Sequence, residues 1–176
     1  ESILSLFVSR GAPERMLRWH YRSRHDSLIA VSNREFYDNR LIIFPSPDLE
    51  RSELGLHYHY LPHTTYERGG SRTNRGEARA VAEAVMEHAR TRPEWTLGVV
   101  AFSQAQTEAI QVQLERLRRE DPSLEHFFNS HPEEPFFIKN LENVQGDERD
   151  VIFISIGYGR DEHGKLSLNF GPLNRD

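Results

Sequence analysis

The chain has 176 residues, 37% of them hydrophobic and 28% charged, which suits one globular domain with a sizeable core and excludes a disordered or fibrous polypeptide. Its formal net charge of −5 argues against an autonomous nucleic-acid binder that works by bulk phosphate attraction, so any such contact has to be local. With no cysteine, neither a disulfide framework nor a thiolate metal site is available, and with no long apolar run or signal-like start the expected setting is cytoplasmic, without a membrane segment.

In chain order, Ile3, Leu4, Leu6 and Phe7 predict a short helix ending before Gly11, and Met16 to Tyr21 a strand. Leu28, Ile29, Val31, Ser32, Phe36 and Tyr37 recur at helical spacing, with His25 or Asp26 as the cap. Leu41 to Phe44 reads as extended until Pro45 and Pro47 stop it, and Leu56 to Leu61 alternates as a half-exposed strand does. Residues 62–74 form a flexible loop, after which Asn74 caps a helix to about Arg90 whose Ala78, Val81, Ala82, Val85 and Met86 make one apolar face. Thr96 to Phe102 is a buried strand. A helix from Gln104 to Arg119 follows, with Ala105, Ala109, Ile110, Val112, Leu114 and Leu117 as its apolar positions, and Pro122 ends it. Phe136 to Lys139 and Val151 to Tyr158 complete the strands. Alternation of helix and strand periods predicts an α/β fold with a mainly parallel sheet.

Several patterns suggest chemistry. The run Asn143 to Asp150, with a glycine, a glutamine and clustered charge, leads straight into the apolar Val151 to Ile156, and a polar turn at a strand mouth is a place where ligands are held. Tyr21-Arg22-Ser23-Arg24 places an aromatic ring beside a permanent charge, fit either to stack on a base and meet phosphate or simply to be solvated at a strand end. Ser103 and Gln106 stand where a buried strand turns into a helix, a position for phosphate binding or for ordinary N-capping.

Three other patterns are decoys. Gly159 to Lys165 has G-x-x-x-x-G-K spacing, but Leu166 replaces the magnesium-holding Ser/Thr and an extended segment follows, so a hairpin turn is expected. His57, His59 and His63 read as half-exposed histidines rather than a metal site. A metal-dependent nuclease would want Glu-x-Lys on a strand, whereas Glu162 and Lys165 fall in the expected turn.

Taken together, His20-Tyr21-Arg22-Ser23-Arg24-His25 with Ser32-Asn33-x-x-Phe36-Tyr37-x-x-x-Leu41, then Val99-Val100-Ala101-Phe102-Ser103-x-x-Gln106, then Glu142-x-x-Gln145-Gly146-x-Glu148-x-Asp150-Val151-Ile152 resemble the second RecA-like domain of superfamily 1 helicases, in particular the Upf-like branch and its large bacterial relatives. The similarity runs from about Leu17 onward, and the tail Phe170 to Arg175 resembles the segment leading toward motif VI. The resemblance implies a RecA-like three-layer fold with helices on both faces of the sheet. It places Tyr21 near the adenine, Arg22 at the γ-phosphate, and Gln145, Gly146 and Glu148 against the nucleotide and its ribose, with Arg22 and Glu148 as the catalytic pair. Ser103, Gln106 and Asn140 inherit nucleic-acid contacts, although Phe102-Ser103 replaces the family's Pro-Tyr pair and Asn140 its usual threonine.

With no true Walker A loop, no Walker B pair and no motif VI arginine in the sequence, the expectation is a single RecA-like domain 2 cut from a larger protein and inactive alone. ATP and Mg are the implied cofactors of the parent, with no Mg ligand in this chain. The implied partners are the first RecA-like domain of the same polypeptide and single-stranded nucleic acid. A degenerate, non-catalytic interaction module and a nuclease are the rival readings.

Overall fold

A computed structural model describes residues 3–13, 15–23, 25–45 and 54–167, which gather into two compact units, Glu1–Tyr60 and Leu61–Asp176. The first unit holds helix α1 (Ile3–Ser9), strand β1 (Trp19–His20), helix α2 (Ser27–Phe36) and strand β2 (Ile42–Ile43). β1 and β2 pair in parallel, Trp19 opposite Ile42 and His20 opposite Ile43. Asn33 explains how α2 turns back toward β2. Its side-chain Oδ1 accepts the Leu41 N–H at 3.0 Å, across a turn in which Asp38 and Asn39 take positive φ of 52° and 56°. Asp26 is the α2 N-cap but makes no side-chain cap bond; His25 Nδ1 instead accepts the Ser27 N–H at 3.2 Å.

The second unit carries α3 (Arg75–Thr91), β3 (Leu97–Ala101), α4 (Gln104–Glu120), α5 (Glu125–Asn129), β4 (Phe137–Asn140) and β5 (Val151–Ser155). Its sheet is parallel in the order β4-β3-β5, with Val99 opposite both Ile138 and Phe153. Parallel strands alternating with helices make this an α/β fold, as the sequence implied. Asn74 Oδ1 caps α3 by accepting the Glu77 N–H at 3.0 Å, and Ser103 Oγ caps α4 by accepting the Gln106 N–H at 3.2 Å.

Both helices bury their apolar stripes on one face of the sheet. Ala78, Ala82, Val85 and Ala89 of α3 and Ile110 and Leu114 of α4 pack with Leu97, Val99 and Ala101, while Leu124 and Phe127 close the end of the core. Every residue of β3 is buried because it is the central strand. β5, by contrast, exposes Ile152 and Ile154, so the expected fully buried run is a half-buried edge of the described sheet. Val112, one of the apolar positions of α4, is exposed. Leu56 to Leu61 forms no strand, because alternation needs a pairing neighbour to become a ladder.

Residues 62–74 are a loop with fixed partners. Tyr66 is buried, its N–H donates to the Arg160 carbonyl at 2.9 Å, and Glu67 and Thr73 are bridged by a backbone bond of 2.9 Å. Burial and its own hydrogen bond to Trp95 shape His88: the ring Nε2 meets the Trp95 carbonyl at 2.9 Å, and desolvation holds its pKa below the usual histidine value.

Candidate functional site

In the first unit, β1 ends at His20, whose ring Nε2 accepts the Ser23 N–H at 3.2 Å and lies 2.7 Å from Ser23 Oγ. This closes a short turn and directs the intervening pair outward. Tyr21 is 83% exposed, and Arg22 is exposed with no hydrogen bond or ion pair among the described residues. A guanidinium without an internal carboxylate keeps its whole donor fork for a ligand. Arg24 lies outside the described residues.

In the second unit, the chain leaves β4 at Asn140, whose Oδ1 accepts the Asn143 N–H at 3.2 Å and starts a single 3-10 turn, Leu141–Asn143. A tighter turn follows, closed by the Asp147 N–H on the Val144 carbonyl at 3.0 Å, with Gly146 at φ +88° in its third position. Nothing lies within 4 Å of where a Gly146 side chain would begin, so the glycine is needed for its backbone angle and not for space.

From there the backbone runs back beside β4. Lys139 Nζ meets Asp147 Oδ2 at 2.6 Å, Arg149 donates to the Pro135 carbonyl at 2.7 and 3.1 Å, and its guanidinium lies 4.8 Å from the Phe137 ring centre. Asp150 then locks onto the start of β3, accepting the Thr96 N–H at 3.1 Å while its own N–H donates to Thr96 Oγ1 at 2.9 Å.

The charged residues of this loop therefore divide by duty. Asp147, Arg149 and Asp150 are anchors, whereas Gln145, Gly146 and Glu148 are exposed between them. The Glu148 side chain has no internal partner among the described residues. A shallow cleft of about 430 Å³ lies alongside, lined by Pro135, Phe137, Lys139, Gly146 and Glu148 among others. The loop presents a carboxylate, an amide and a glycine backbone on a stiff base, a set suited to hydroxyl and ring-edge recognition.

Gln106 is buried in the first turn of α4. It is 1% exposed: Oε1 accepts the Asn74 N–H at 2.8 Å, and Nε2 donates to the Asn74 carbonyl and to Ser155 Oγ, each at 3.2 Å. With its amide spent internally it offers nothing to a strand, and it ties the start of α4 to the start of α3 and the end of β5. Glu77 extends the cluster, accepting Ser155 Oγ–H at 2.7 Å and the Gly157 N–H at 2.9 Å. Sequence reading missed Asn74 and Ser155 as partners of Gln106, and Glu77 as the partner of Ser155. Ser103 is half-buried and serves as the α4 cap, and Asn140 is half-buried at its own turn, so both carry structural duties.

The decoys resolve locally. Gly159 to Lys165 is a hairpin turn: Arg160 bridges Leu166 in antiparallel fashion, and Asp161 Oδ1 accepts the His163 and Lys165 N–H groups at 3.0 and 2.8 Å. Those bonds hold the Asp161 carboxyl below its usual pKa, the one from Lys165 most strongly. Glu162 and Lys165 sit in that turn. No group of three or more His, Cys, Asp or Glu able to hold a metal occurs among the described residues. Among them too, no helix is long and apolar enough to cross a membrane. The tail Phe170 to Arg175 lies outside the described residues.

Comparison with known proteins adds an independent line. Residues 1–170 match a family described as an AAA domain. The chain is 32% identical over 182 residues to an uncharacterized ATP-dependent helicase of Mycoplasma pneumoniae, and 31% identical over 182 residues to one of Mycoplasma genitalium. Each alignment covers 99% of this chain and 15% of the relative, so the chain spans about a seventh of the length of these proteins. No solved structure matches significantly.

Proposed function

Since the chain belongs to this AAA-domain family and is a superfamily 1 helicase-type domain, we propose that it is the second RecA-like domain of an ATP-dependent nucleic-acid helicase or translocase. In this reading it supplies the trans half of the ATP site and part of a single-strand track. The observation that carries the reading is the pairing of motif position with availability. Tyr21, Arg22, Gln145, Gly146 and Glu148, the positions at which the family motifs place nucleotide contacts, are all exposed, while their sequence neighbours are tied down.

The residues fit a nucleotide in their donor chemistry. Arg22 offers a permanent, bidentate cation for phosphoryl oxygens, Tyr21 an open ring face for the base, and Glu148 an exposed carboxylate for ribose hydroxyls. ATP, when bound, supplies the free energy that drives movement along the strand. Arg22 holds positive charge against the phosphate oxygens, where a positioned arginine acts by matching charge that grows in the transition state. Mg belongs to the first RecA-like domain in this proposal, as does the loop that cradles the phosphates. Ser103 and Asn140 contact the strand through whatever donor and acceptor capacity their turns leave, and Gln106 positions the helix that carries Ser103.

The test is nucleic-acid-stimulated ATPase and unwinding by the full-length protein, run on DNA and RNA, for wild type, Arg22→Ala and Glu148→Ala. Loss of stimulated turnover in both variants with folding intact supports the reading. Absence of any ATPase in wild type, or normal rates in both variants, sinks it.

A further inference from the structure

We propose that Tyr58 and Tyr60 form a base-stacking site for single-stranded nucleic acid, an inference that rests on the helicase reading above but names a site outside its motifs. The two rings are 80% and 68% exposed, so neither contributes to a core. Their planes are inclined by only 15° and their centres lie 6.5 Å apart. Two exposed, near-parallel ring faces side by side offer planar bases an aromatic surface on which to stack.

The backbone explains the geometry. Gly55 takes φ +94° against His25 and Ser27, and the Leu56 N–H donates to Ser27 Oγ at 3.0 Å, which fixes where the segment starts on α2. From Leu56 to Tyr60 the chain has no regular secondary structure and pairs with no strand among the described residues. The two tyrosine rings nevertheless stand together, near-parallel and both open to solvent. The register that suggested a half-buried strand is thus a solvent-facing ladder of aromatic rings.

Charge does not oppose the same ligand. Between Glu53 and Glu67 there is no acidic residue and there are three histidines, in a chain whose net charge is −5, so a phosphate backbone meets no carboxylate on this stretch. Stacking is tolerant of base identity because every base has a π face, which fits a motor that must move along any sequence.

The experiment measures binding of the full-length protein to labelled oligo-dT, oligo-U and a blunt duplex by fluorescence anisotropy, with Tyr58→Ala/Tyr60→Ala and Tyr58→Phe/Tyr60→Phe beside wild type. The alanine pair is expected to weaken single-strand binding by about five- to a hundredfold, the range measured per stacked base, and to leave duplex binding and the salt dependence unchanged. The phenylalanine pair is expected to bind as wild type does, because the ring and not the hydroxyl carries the contact. Equal single-strand binding by wild type and the alanine pair overturns the site while leaving the helicase reading in place. Wild type that binds neither single strand removes that reading and the site together. A lowered melting temperature in the alanine pair shows that the rings pack internally and likewise overturns the proposal.

Discussion

Gly98→Ala sets two physical effects of opposite sign against each other. On β3 a glycine is entropically costly, and alanine in an ordinary extended conformation stabilises by about 0.4–1 kcal/mol through the unfolded chain. In this fold, however, a Cβ at Gly98 would lie 2.4 Å from Phe137 Cζ and within 3 Å of its two Cε atoms, where ordinary contact begins near 3.4 Å. The ring has to move by about 1 Å, and it is not free to do so. Arg149 and Lys139 stand over it at 4.8 and 4.9 Å, held in turn by Pro135 and Asp147. Overpacking of this kind costs about 1–3 kcal/mol, so the net is a loss of roughly 1–2 kcal/mol and a melting temperature lower by about 2–8 °C. Thermal unfolding followed by circular dichroism reads the difference. Phe137→Leu in the same background removes the obstruction, so the added alanine is expected to cost much less there. A rise in melting temperature for Gly98→Ala alone would refute the packing of Phe137 over β3 and, with it, the base on which the Gly146 turn stands.

Gln106→Ala leaves the Asn74 backbone and the Ser155 hydroxyl without their partner, and a loss of about 2–4 kcal/mol in urea unfolding is expected; a change under about 0.5 kcal/mol would mean the side chain is solvated. His88 binds protons less readily folded than unfolded, so stability is expected to fall as pH drops below the ordinary histidine value of about 6.5 and to level off below the depressed native pKa. His88→Gln, which keeps a donor for the Trp95 carbonyl, flattens that slope below the ordinary histidine value, and an unchanged slope would assign it to other groups. Gly146→Ala, forced into φ +88°, is expected to cost about 1–2 kcal/mol despite open space around it, measured by the same thermal scan; a neutral result would mean the turn relaxes without glycine.

Much of this architecture is legible before any coordinates. Asn74 and Ser103 announce their helices because a short polar side chain before a periodic apolar stripe is a local, self-contained signal, and both caps form. The hairpin at Gly159 to Lys165 is legible for the same reason: Asp161 and Gly164 settle it within a few residues. What is not legible depends on distant partners. Gln106 is buried by residues 32 and 49 positions away, so its motif position suggested a ligand contact where a structural hub exists. Leu56 to Leu61 alternates as strands do, yet nothing in the sequence says whether a neighbouring strand accepts its hydrogen bonds. The loop from Asn143 to Asp150 is recognisable by its residues, but its division into anchors and exposed groups is not. That division depends on Lys139, Pro135 and Thr96. Helix α5 escaped notice because one turn is too short for periodicity, although Asp121-Pro122 before Leu124 and Phe127 is a usable start signal.

The central claim is that Arg22 acts on the phosphates of ATP and not on the fold. Its most direct test is the steady-state ATPase of the full-length Arg22→Ala protein at saturating ATP and single strand. The expected result is that kcat falls by about a thousandfold or more, as for loss of an arginine that meets the transferred phosphoryl group, while the melting temperature stays that of wild type because the side chain is exposed and has no partner among the described residues. A kcat within about twofold of wild type would contradict it.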